Sequence, residues 1–447
     1  MSYTTLLCRL HRLLIPLVIA VLVSFPLRAQ EEALLNLNKP EREQWFTNLG
    51  FGMFIHWSMD VQLGMVISHS MVGASPEYLN RYVNELPKTF NPDRFDARRW
   101  ARSAKQAGMN YLVFTAKHHN GYCMFDTQTT DFGIMHSPYG QDVTRMVVEA
   151  CREEGLAVGL YFSPDDFYFL HQQGTLISRT RKEALASENP DLNTYVKRQM
   201  RELMTQYGPV DIVFLDGTEP FAMTELAKVC WELNPEVVVT RGAMETPEQQ
   251  TPKTPIPAPW EACYTLGDQW QFRPTNERYK SAKEAILQLI DIRSKGGNFL
   301  LNFGPDARGE FPSQQEGILN EISLWMFVNG EAFQGTVPHR IVREGNIWYL
   351  TTADGNTAYA FINEDAWELG ERKTYRITAF RAADNARISV LGHNGKVLEY
   401  HKEVDPAPTI RQTDSGMEIT VMRAQRLYND RKWNNPVVVR ITGVEYP

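Results

Sequence analysis

The chain has 447 residues, of which 43% are hydrophobic and 22% are charged, so it can form two or three globular domains with a sizeable core. Its formal net charge of −7 provides no overall basic field, which argues against nucleic acid or an anionic membrane surface as a partner.

The first 30 residues have the pattern of a secretory signal peptide. Arg9 and Arg12 precede an apolar run at 13–27, and Ala29 ends a stretch typical of a cleavage site. The apolar run is short for a membrane span, so we expect an exported protein without stable membrane insertion. The chain has no Asn-x-Ser/Thr sequon, which favours bacterial export to the periplasm or the extracellular space.

Short apolar strands alternate with helical patterns from about residue 48 to residue 330. Such alternation predicts a parallel sheet with helices outside it, and we expect a (β/α)8-type barrel over residues 31–335. A doubly wound open sheet is the alternative, but no GxGxxG loop follows any of the strands. The predicted strands are 51–56, 111–116, 157–162, 211–215, 237–240, 262–266 and 299–303, and the predicted helices are 97–107, 143–154, 192–207, 221–233, 281–294 and 314–327.

The pattern changes after about residue 335, where short alternating segments are separated by turn residues. Six of them lie between residues 347 and 442. This pattern predicts an antiparallel β-sandwich over residues 336–447, with bracing of the barrel as its expected role.

Polar and aromatic residues follow the predicted barrel strands. Chemistry in such barrels takes place at the carboxyl ends of the strands, so we expect these side chains to converge on one cleft. They are His56, Trp57, His118, His119, Asp216, Arg241, Glu261 and Trp270.

Asp216 is the strongest candidate for a catalytic group, because it ends an apolar strand and precedes a glycine. A helix N-cap is the other interpretation of this position, but the next predicted helix begins several residues later. A glycosidase that works through a covalent intermediate needs a second carboxyl group. The candidates are Glu245, Glu248 and Glu261, and Glu261 is favoured because the apolar neighbour Trp260 would help to keep a carboxylic acid protonated.

The histidines could instead bind a metal ion. His56, His118 and His119 could form a three-histidine set, but neither an HxH nor an HExxH spacing occurs. Neutral imidazole rings both donate and accept hydrogen bonds, which suits sugar hydroxyl groups. We therefore expect neither a metal ion nor another cofactor.

Five segments in this order resemble the family 29 α-L-fucosidases, which are secreted or lysosomal retaining glycosidases with a catalytic barrel and a C-terminal β-sandwich. The resemblance extends over nearly all of the chain after residue 30. The segments are 51–57 (FGMFIHW), 115–122 (TAKHHNGY), 213–217 (VFLDG), 260–267 (WEACYTLG) and 294–305 (SKGGNFLLNFGP).

The resemblance implies a role for each matching residue. It makes Asp216 the nucleophile and Glu261 the acid/base. It implies that the sugar is bound by His56, Trp57, Glu77, Tyr78, His118, His119 and Arg241, with Trp270 near the rim of the pocket.

The sequence also departs from the family pattern at three places. Phe214 stands where the family usually has tryptophan, Ser58 where it has glycine, and Asn120 where it has aspartate. These changes bear on the lining of the pocket and therefore on the sugar or the linkage that it accepts.

The function expected from these observations is that of an exo-acting, retaining α-L-fucosidase. Its substrate would be a fucosylated oligosaccharide or glycoconjugate. Two alternatives are open at this point: a related enzyme such as an α-L-galactosidase, and a non-catalytic glycan-binding protein on the same fold.

Overall fold

A computed structural model describes residues 35–275, 278–425 and 434–446. The predicted signal peptide, residues 1–30, lies outside the described residues and stays a prediction. Within the described ranges, no helix is both long and apolar enough to cross a membrane.

Seven parallel strands form the curved sheet that carries the cleft, as the sequence predicts. Their order across the sheet is β5-β4-β3-β2-β1-β7-β6. The strands are almost entirely buried, as expected where helices cover a parallel sheet. They are β1 (Phe51–Ile55), β2 (Tyr111–Lys117), β3 (Ala157–Phe162), β4 (Ile212–Leu215), β5 (Val238–Val239), β6 (Glu261–Thr265) and β7 (Asn298–Phe303).

Residues 245–249, which lie between β5 and β6 in the chain, extend the sheet beyond β6. This segment runs parallel to β6, with bridges that pair Glu245 with Trp260 and Glu248 with Cys263. The amide of Gln249 donates to the carbonyl of Cys263 at 2.9 Å. The segment therefore occupies the eighth position of the barrel without forming a regular strand.

Helices pack outside the sheet, and several begin at a residue whose side chain caps them. Asp96 and Asp142 each accept a hydrogen bond from the third helical amide, and Ser281 and Glu284 form a capping box. The helices are α1 (Pro40–Leu49), α2 (Pro76–Asn84), α3 (Ala97–Gln106), α4 (Val143–Glu153), α5 (Phe167–Gln172), α6 (Pro190–Gln206), α7 (Pro220–Leu233), α8 (Ala282–Ser294) and α9 (Ser313–Asn329).

Two antiparallel sheets follow the barrel and enclose an apolar core. The five-stranded sheet has the order β12-β15-β10-β9-β8 and the three-stranded sheet the order β11-β14-β13. Alternate residues of both sheets, such as Tyr349 and Ile419, form this core. The strands are β8 (Thr336–Glu344), β9 (Ile347–Thr352), β10 (Thr357–Ile362), β11 (Arg372–Ile377), β12 (Arg381–Val390), β13 (Thr409–Thr413), β14 (Gly416–Met422) and β15 (Val437–Glu445).

The outer face of the five-stranded sheet packs against barrel helices α8 and α9. Trp348 of β9 donates its indole N–H to Asp291 of α8 at 3.0 Å, and Trp325 of α9 donates to the carbonyl of Pro436 at 2.8 Å. Both tryptophans belong to the same apolar cluster as the barrel core. The sandwich thus braces the side of the barrel that is away from β3 and β4.

Candidate active site

A cavity of about 150 Å³ opens where the barrel strands end. This is less than the ~300–1,000 Å³ of pockets that hold drug-sized molecules, so the cavity suits one small ligand and not an extended chain. The lining combines imidazole, aromatic and charged side chains: Phe54, His56, Val66, Ile67, His69, His118, His119, Tyr161, Arg179, Phe214, Asp216, Arg241, Glu248, Cys263, Gln269 and Trp270.

The adjacent histidines lie just after β2, where the chain turns into its loop. The pairing of β2 with β3 shifts register between Thr115 and Lys117, so regular alternation ends before the histidines. The rings of His118 and His119 lie 4.2 Å apart between centroids and both line the cavity. Lys117 points away and forms a fully buried ion pair with Asp166 at 2.8 Å.

Asp216 follows β4 and points its carboxylate into the cavity. Its Oδ2 accepts a hydrogen bond from the Tyr161 hydroxyl at 2.8 Å and lies 3.6 Å from His119 Nε2. Burial alone would raise the pKa of Asp216, but the nearby His119, Arg241 and Tyr161 outweigh it and hold the pKa below its usual range. The carboxylate is therefore ionised, as a nucleophile must be.

Glu248 is the second carboxylate at the cavity. Nη1 of Arg241 lies 2.9 Å from Glu248 Oε2 and 3.2 Å from Asp216 Oδ1. The two carboxylate oxygens are therefore at most about 6 Å apart, the sum of these distances, which is compatible with the ~5–5.5 Å between the carboxyl groups of a retaining glycosidase. The Glu248 side chain is 43% exposed, so water and a leaving group can reach it.

The imidazole rings of the site are neutral. Burial lowers the pKa of His56 to about 3 and that of His119 to about 4, and it lowers the pKa of His118 well below the ordinary value. At neutral pH each ring has one N–H donor and one acceptor nitrogen. Rings of this kind bind hydroxyl groups and add no charge to the cavity.

Glu261 does not line the cavity, so its expected role as the acid/base disagrees with the structure. It is the first residue of β6, fully buried, and it accepts a hydrogen bond from Tyr111 at 2.5 Å. Cys263, two residues later at ~3.3 Å per residue, is the residue of β6 that reaches the cavity floor. Glu261 therefore lies beneath the floor, where burial raises its pKa to about 7.

Trp57, Glu77 and Tyr78 also lie away from the cavity, contrary to the expectation that they bind the sugar. Trp57 is 0% exposed, because it follows inward-facing His56 on the strand and faces the helix layer; its ring packs against Trp100 at 5.3 Å. Glu77 is exposed in the first turn of α2, and the Tyr78 hydroxyl contacts Met65 Sδ at 3.4 Å.

The sequence did not predict several of the cavity residues, among them Tyr161, His69 and Arg179. Tyr161 is the last residue but one of β3, a strand that contains no charged residue, and alternation along β3 would have placed it inside the barrel. His69 and Arg179 come from irregular segments, for which no strand pattern predicts a position. Arg179 is anchored by Asp165, whose Oδ2 accepts from its Nε at 2.9 Å.

Two of the departures from the family pattern are in contact with each other. Asn120 Nδ2 donates to the Ser58 hydroxyl at 3.0 Å and to the Tyr82 hydroxyl oxygen at 3.1 Å. The Tyr82 hydroxyl donates in turn to Asp60 at 2.8 Å. Asn120 is 0% exposed and does not line the cavity. Asparagine in place of the family's aspartate therefore changes the residues that support the His118 ring and not the cavity wall.

A metal ion is the competing use of this cluster. His118, His119 and Asp216 each offer one ligand atom, and these atoms lie within 4.8 Å of one another. Both Nδ1 atoms already contact serine hydroxyls, at 2.7 Å for His118 and 2.6 Å for His119. The absence of a metal ion from the working site stays a prediction.

A carboxylate pair at the carboxyl ends of a parallel barrel, with imidazole and aromatic walls, is typical of a glycoside hydrolase. Comparison with known proteins identifies which one. The model of the Alpha-L-fucosidase family matches residues 26–331, and the chain belongs to this family.

Relatives agree with this assignment over most of their length. The Alpha-L-fucosidase of Dictyostelium discoideum is 26% identical over 90% of this chain and 92% of its own. The Tissue alpha-L-fucosidase of Bos taurus is 26% identical over 71% of this chain and 74% of its own. Among solved structures, Alpha-L-fucosidase isoenzyme 1 from Paenibacillus thiaminolyticus has a TM-score of 0.73 and 28% identity, covering 91% of this chain and 99% of its own. None of these supports an α-L-galactosidase or a non-catalytic protein.

Proposed function

We propose that this α-L-fucosidase works by double displacement, with Asp216 as the nucleophile and Glu248 as the acid/base. The observation that carries the proposal is the contact of both carboxylates with one guanidinium nitrogen of Arg241. It brings two carboxyl groups to one cavity at a spacing compatible with that of a retaining glycosidase.

In the first step, Asp216 attacks the anomeric carbon as the bond to the leaving oxygen breaks. Glu248 gives its proton to that oxygen, and a fucosyl ester of Asp216 remains. In the second step, Glu248 takes a proton from water, the water oxygen attacks the anomeric carbon, and Asp216 leaves as a carboxylate. Two inversions give net retention, and Glu248 ends protonated as it began.

His56, His118 and His119 bind the ring hydroxyls, and Trp270 offers an aromatic face at the rim. Because the rings are held before the sugar arrives, they orient the anomeric carbon toward Asp216. The small volume of the cavity supports removal of a single terminal fucose from a glycan. The N-terminal sequence pattern supports export to the periplasm or extracellular space of a bacterium.

Trapping with a 2-fluoro fucosyl donor tests these roles. Peptide mapping of the trapped enzyme should find the label on Asp216, and a label on another residue would refute the assignment. Glu248→Gln should lose ~10²–10⁴-fold in turnover of fucosyl oligosaccharides. Azide should restore turnover of an activated aryl fucoside and give the α-fucosyl azide, because a small anion can attack the fucosyl-enzyme without a base.

A further inference from the structure

We propose that Ser68 and Asn302 hold His118 and His56 in opposite tautomers, so that the cavity presents one fixed N–H donor and one fixed acceptor nitrogen to the sugar. Ser68 and Asn302 are then positioning residues, because they act on the substrate through the rings. The inference builds on the proposed role of the two histidines as hydroxyl ligands.

The hydrogen bonds of Ser68 determine the tautomer of His118. The Ser68 hydroxyl oxygen accepts the backbone N–H of Asn120 at 2.9 Å and lies 2.7 Å from His118 Nδ1. Ser68 is 0% exposed, and within the described residues no other acceptor is in reach of its hydroxyl proton. A buried O–H without a partner is costly, so Ser68 donates to His118 Nδ1, and the ring proton is on Nε2.

The backbone of Ser68 has a strained conformation, which places the hydroxyl group beside His118. Ser68 has φ 64°, a left-handed conformation that a residue other than glycine rarely adopts. Its amide donates to buried Asp60 at 2.8 Å, and Tyr82 and Gln271 also donate to that carboxylate. Three donors thus fix Asp60, and Asp60 fixes the turn that directs the Ser68 hydroxyl toward His118.

Asn302 determines the opposite tautomer in His56. Asn302 Nδ2 donates to the carbonyl of Trp270 at 2.6 Å, which fixes the orientation of the amide because its oxygen could not face a carbonyl. The Oδ1 atom therefore lies 2.7 Å from His56 Nδ1 and can only accept. The His56 proton is on Nδ1, and Nε2 has a free lone pair.

The two Nε2 atoms are the polar groups that remain for a ligand. In the part of the chain that the structure describes, neither makes a hydrogen bond, and both rings line the cavity. A hydroxyl beside His56 must donate, whereas one beside His118 must accept. Because a fixed donor and a fixed acceptor cannot exchange roles, a sugar with its hydroxyls in another arrangement leaves a buried nitrogen unpaired.

The ring-nitrogen spectra of the ¹⁵N-histidine-labelled enzyme test the tautomers directly, with His56→Gln and His118→Gln variants used to assign the signals. We expect the Nε2–H pattern for His118 and the Nδ1–H pattern for His56, both unchanged between pH 6 and 8. The same tautomer in both rings, or the reverse assignment, would overturn the proposal. This readout needs no turnover, so it stands or fails independently of the catalytic roles.

Substitutions at position 68 separate positioning from a structural role. Ser68→Gly removes the hydroxyl but suits φ 64°, whereas Ser68→Ala removes the hydroxyl and keeps the strain. Both should lose about tenfold in kcat/KM with fucosyl oligosaccharides and give mixed His118 tautomers, although Ser68→Gly should have the higher Tm. If Ser68→Gly keeps wild-type kcat/KM, the hydroxyl does not position the ring and the proposal fails.

The matching change for His56 is Asn302→Leu. It should lower kcat/KM about tenfold, and the His56 proton should no longer be held on Nδ1. The His118 signals should stay as in the wild type. A change confined to Tm, with both kcat/KM and the His56 signals unaltered, would contradict the assignment.

Discussion

Glu261→Gln is the change that best distinguishes the carboxyl group beneath the cavity from the one inside it. Glu261 is fully buried, and one of its oxygens, Oε1, lacks a hydrogen-bond partner in the part of the chain that the structure describes. Burial raises its pKa from 4.5 to about 7. Glutamine has nearly the same shape as the neutral acid and cannot ionise.

The expected size of the effect follows from this pKa. The folded protein binds the proton of Glu261 more tightly than the unfolded chain does. The stabilisation that this proton gives to the folded state is therefore fully present below pH 4.5 and is lost as the pH rises to 7. At ~1.4 kcal/mol per pKa unit, the loss is about 3 kcal/mol. The other titrating groups are common to both proteins and cancel in the difference.

Urea unfolding of wild type and Glu261→Gln between pH 4.5 and 8 measures this difference. The free energies of unfolding should be similar at pH 4.5, and the variant should be the more stable protein by about 3 kcal/mol at pH 8. Its kcat/KM should stay near that of the wild type, whereas Glu248→Gln loses activity. A pH-independent difference in stability, or a Glu261→Gln enzyme as inactive as an acid/base variant, would refute the reasoning.

Three further changes test other parts of the structure. Trp57→Phe should lower the free energy of unfolding by about 1–2 kcal/mol without raising KM. Thermal unfolding and steady-state kinetics measure the two effects, and a raised KM would indicate that Trp57 binds the sugar. Asp166→Asn leaves the buried ammonium of Lys117 unpaired and should cost about 3–5 kcal/mol in urea unfolding, so a loss near zero would contradict a buried ion pair. Tyr161→Phe removes a donor that stabilises the ionised Asp216 and raises its pKa, so the acidic limb of the kcat/KM pH profile should move to higher pH; an unmoved limb would contradict the contact.

The strands and the position of Asp216 were predictable because they depend on a simple period. An apolar run defines a buried strand, and its carboxyl end defines the cavity edge, so Asp216 could be placed from four apolar neighbours. The histidine pair was predictable for the same reason. Alternation also contained the correction for Trp57, since an inward His56 requires the next side chain to face outward.

The second carboxyl group could not be predicted in this way. Residues 245–249 have the polar composition of a surface loop, yet hydrogen bonds to β6 hold them inside the ring of strands. Glu261 has the apolar neighbours of a catalytic acid but begins its strand instead of ending it. Its sequence context is informative about its pKa and not about the end of the barrel at which it lies.

The eighth position of the barrel, filled by residues 245–249, has a consequence for how this active site tolerates change. Asp216 is fixed by a strand with neighbours on both sides, so an insertion near it would shift the register of the sheet. Glu248 lies in a segment whose backbone pairs with β6, and among the described residues the backbone of 250–259 forms no hydrogen bond with that strand. The two carboxylates are thus under different constraints: Asp216 can move only with the barrel, whereas the segment that carries Glu248 and the surface next to it can be lengthened or rebuilt as a unit. A new linkage preference can arise there without disturbing the sugar-binding half of the cavity.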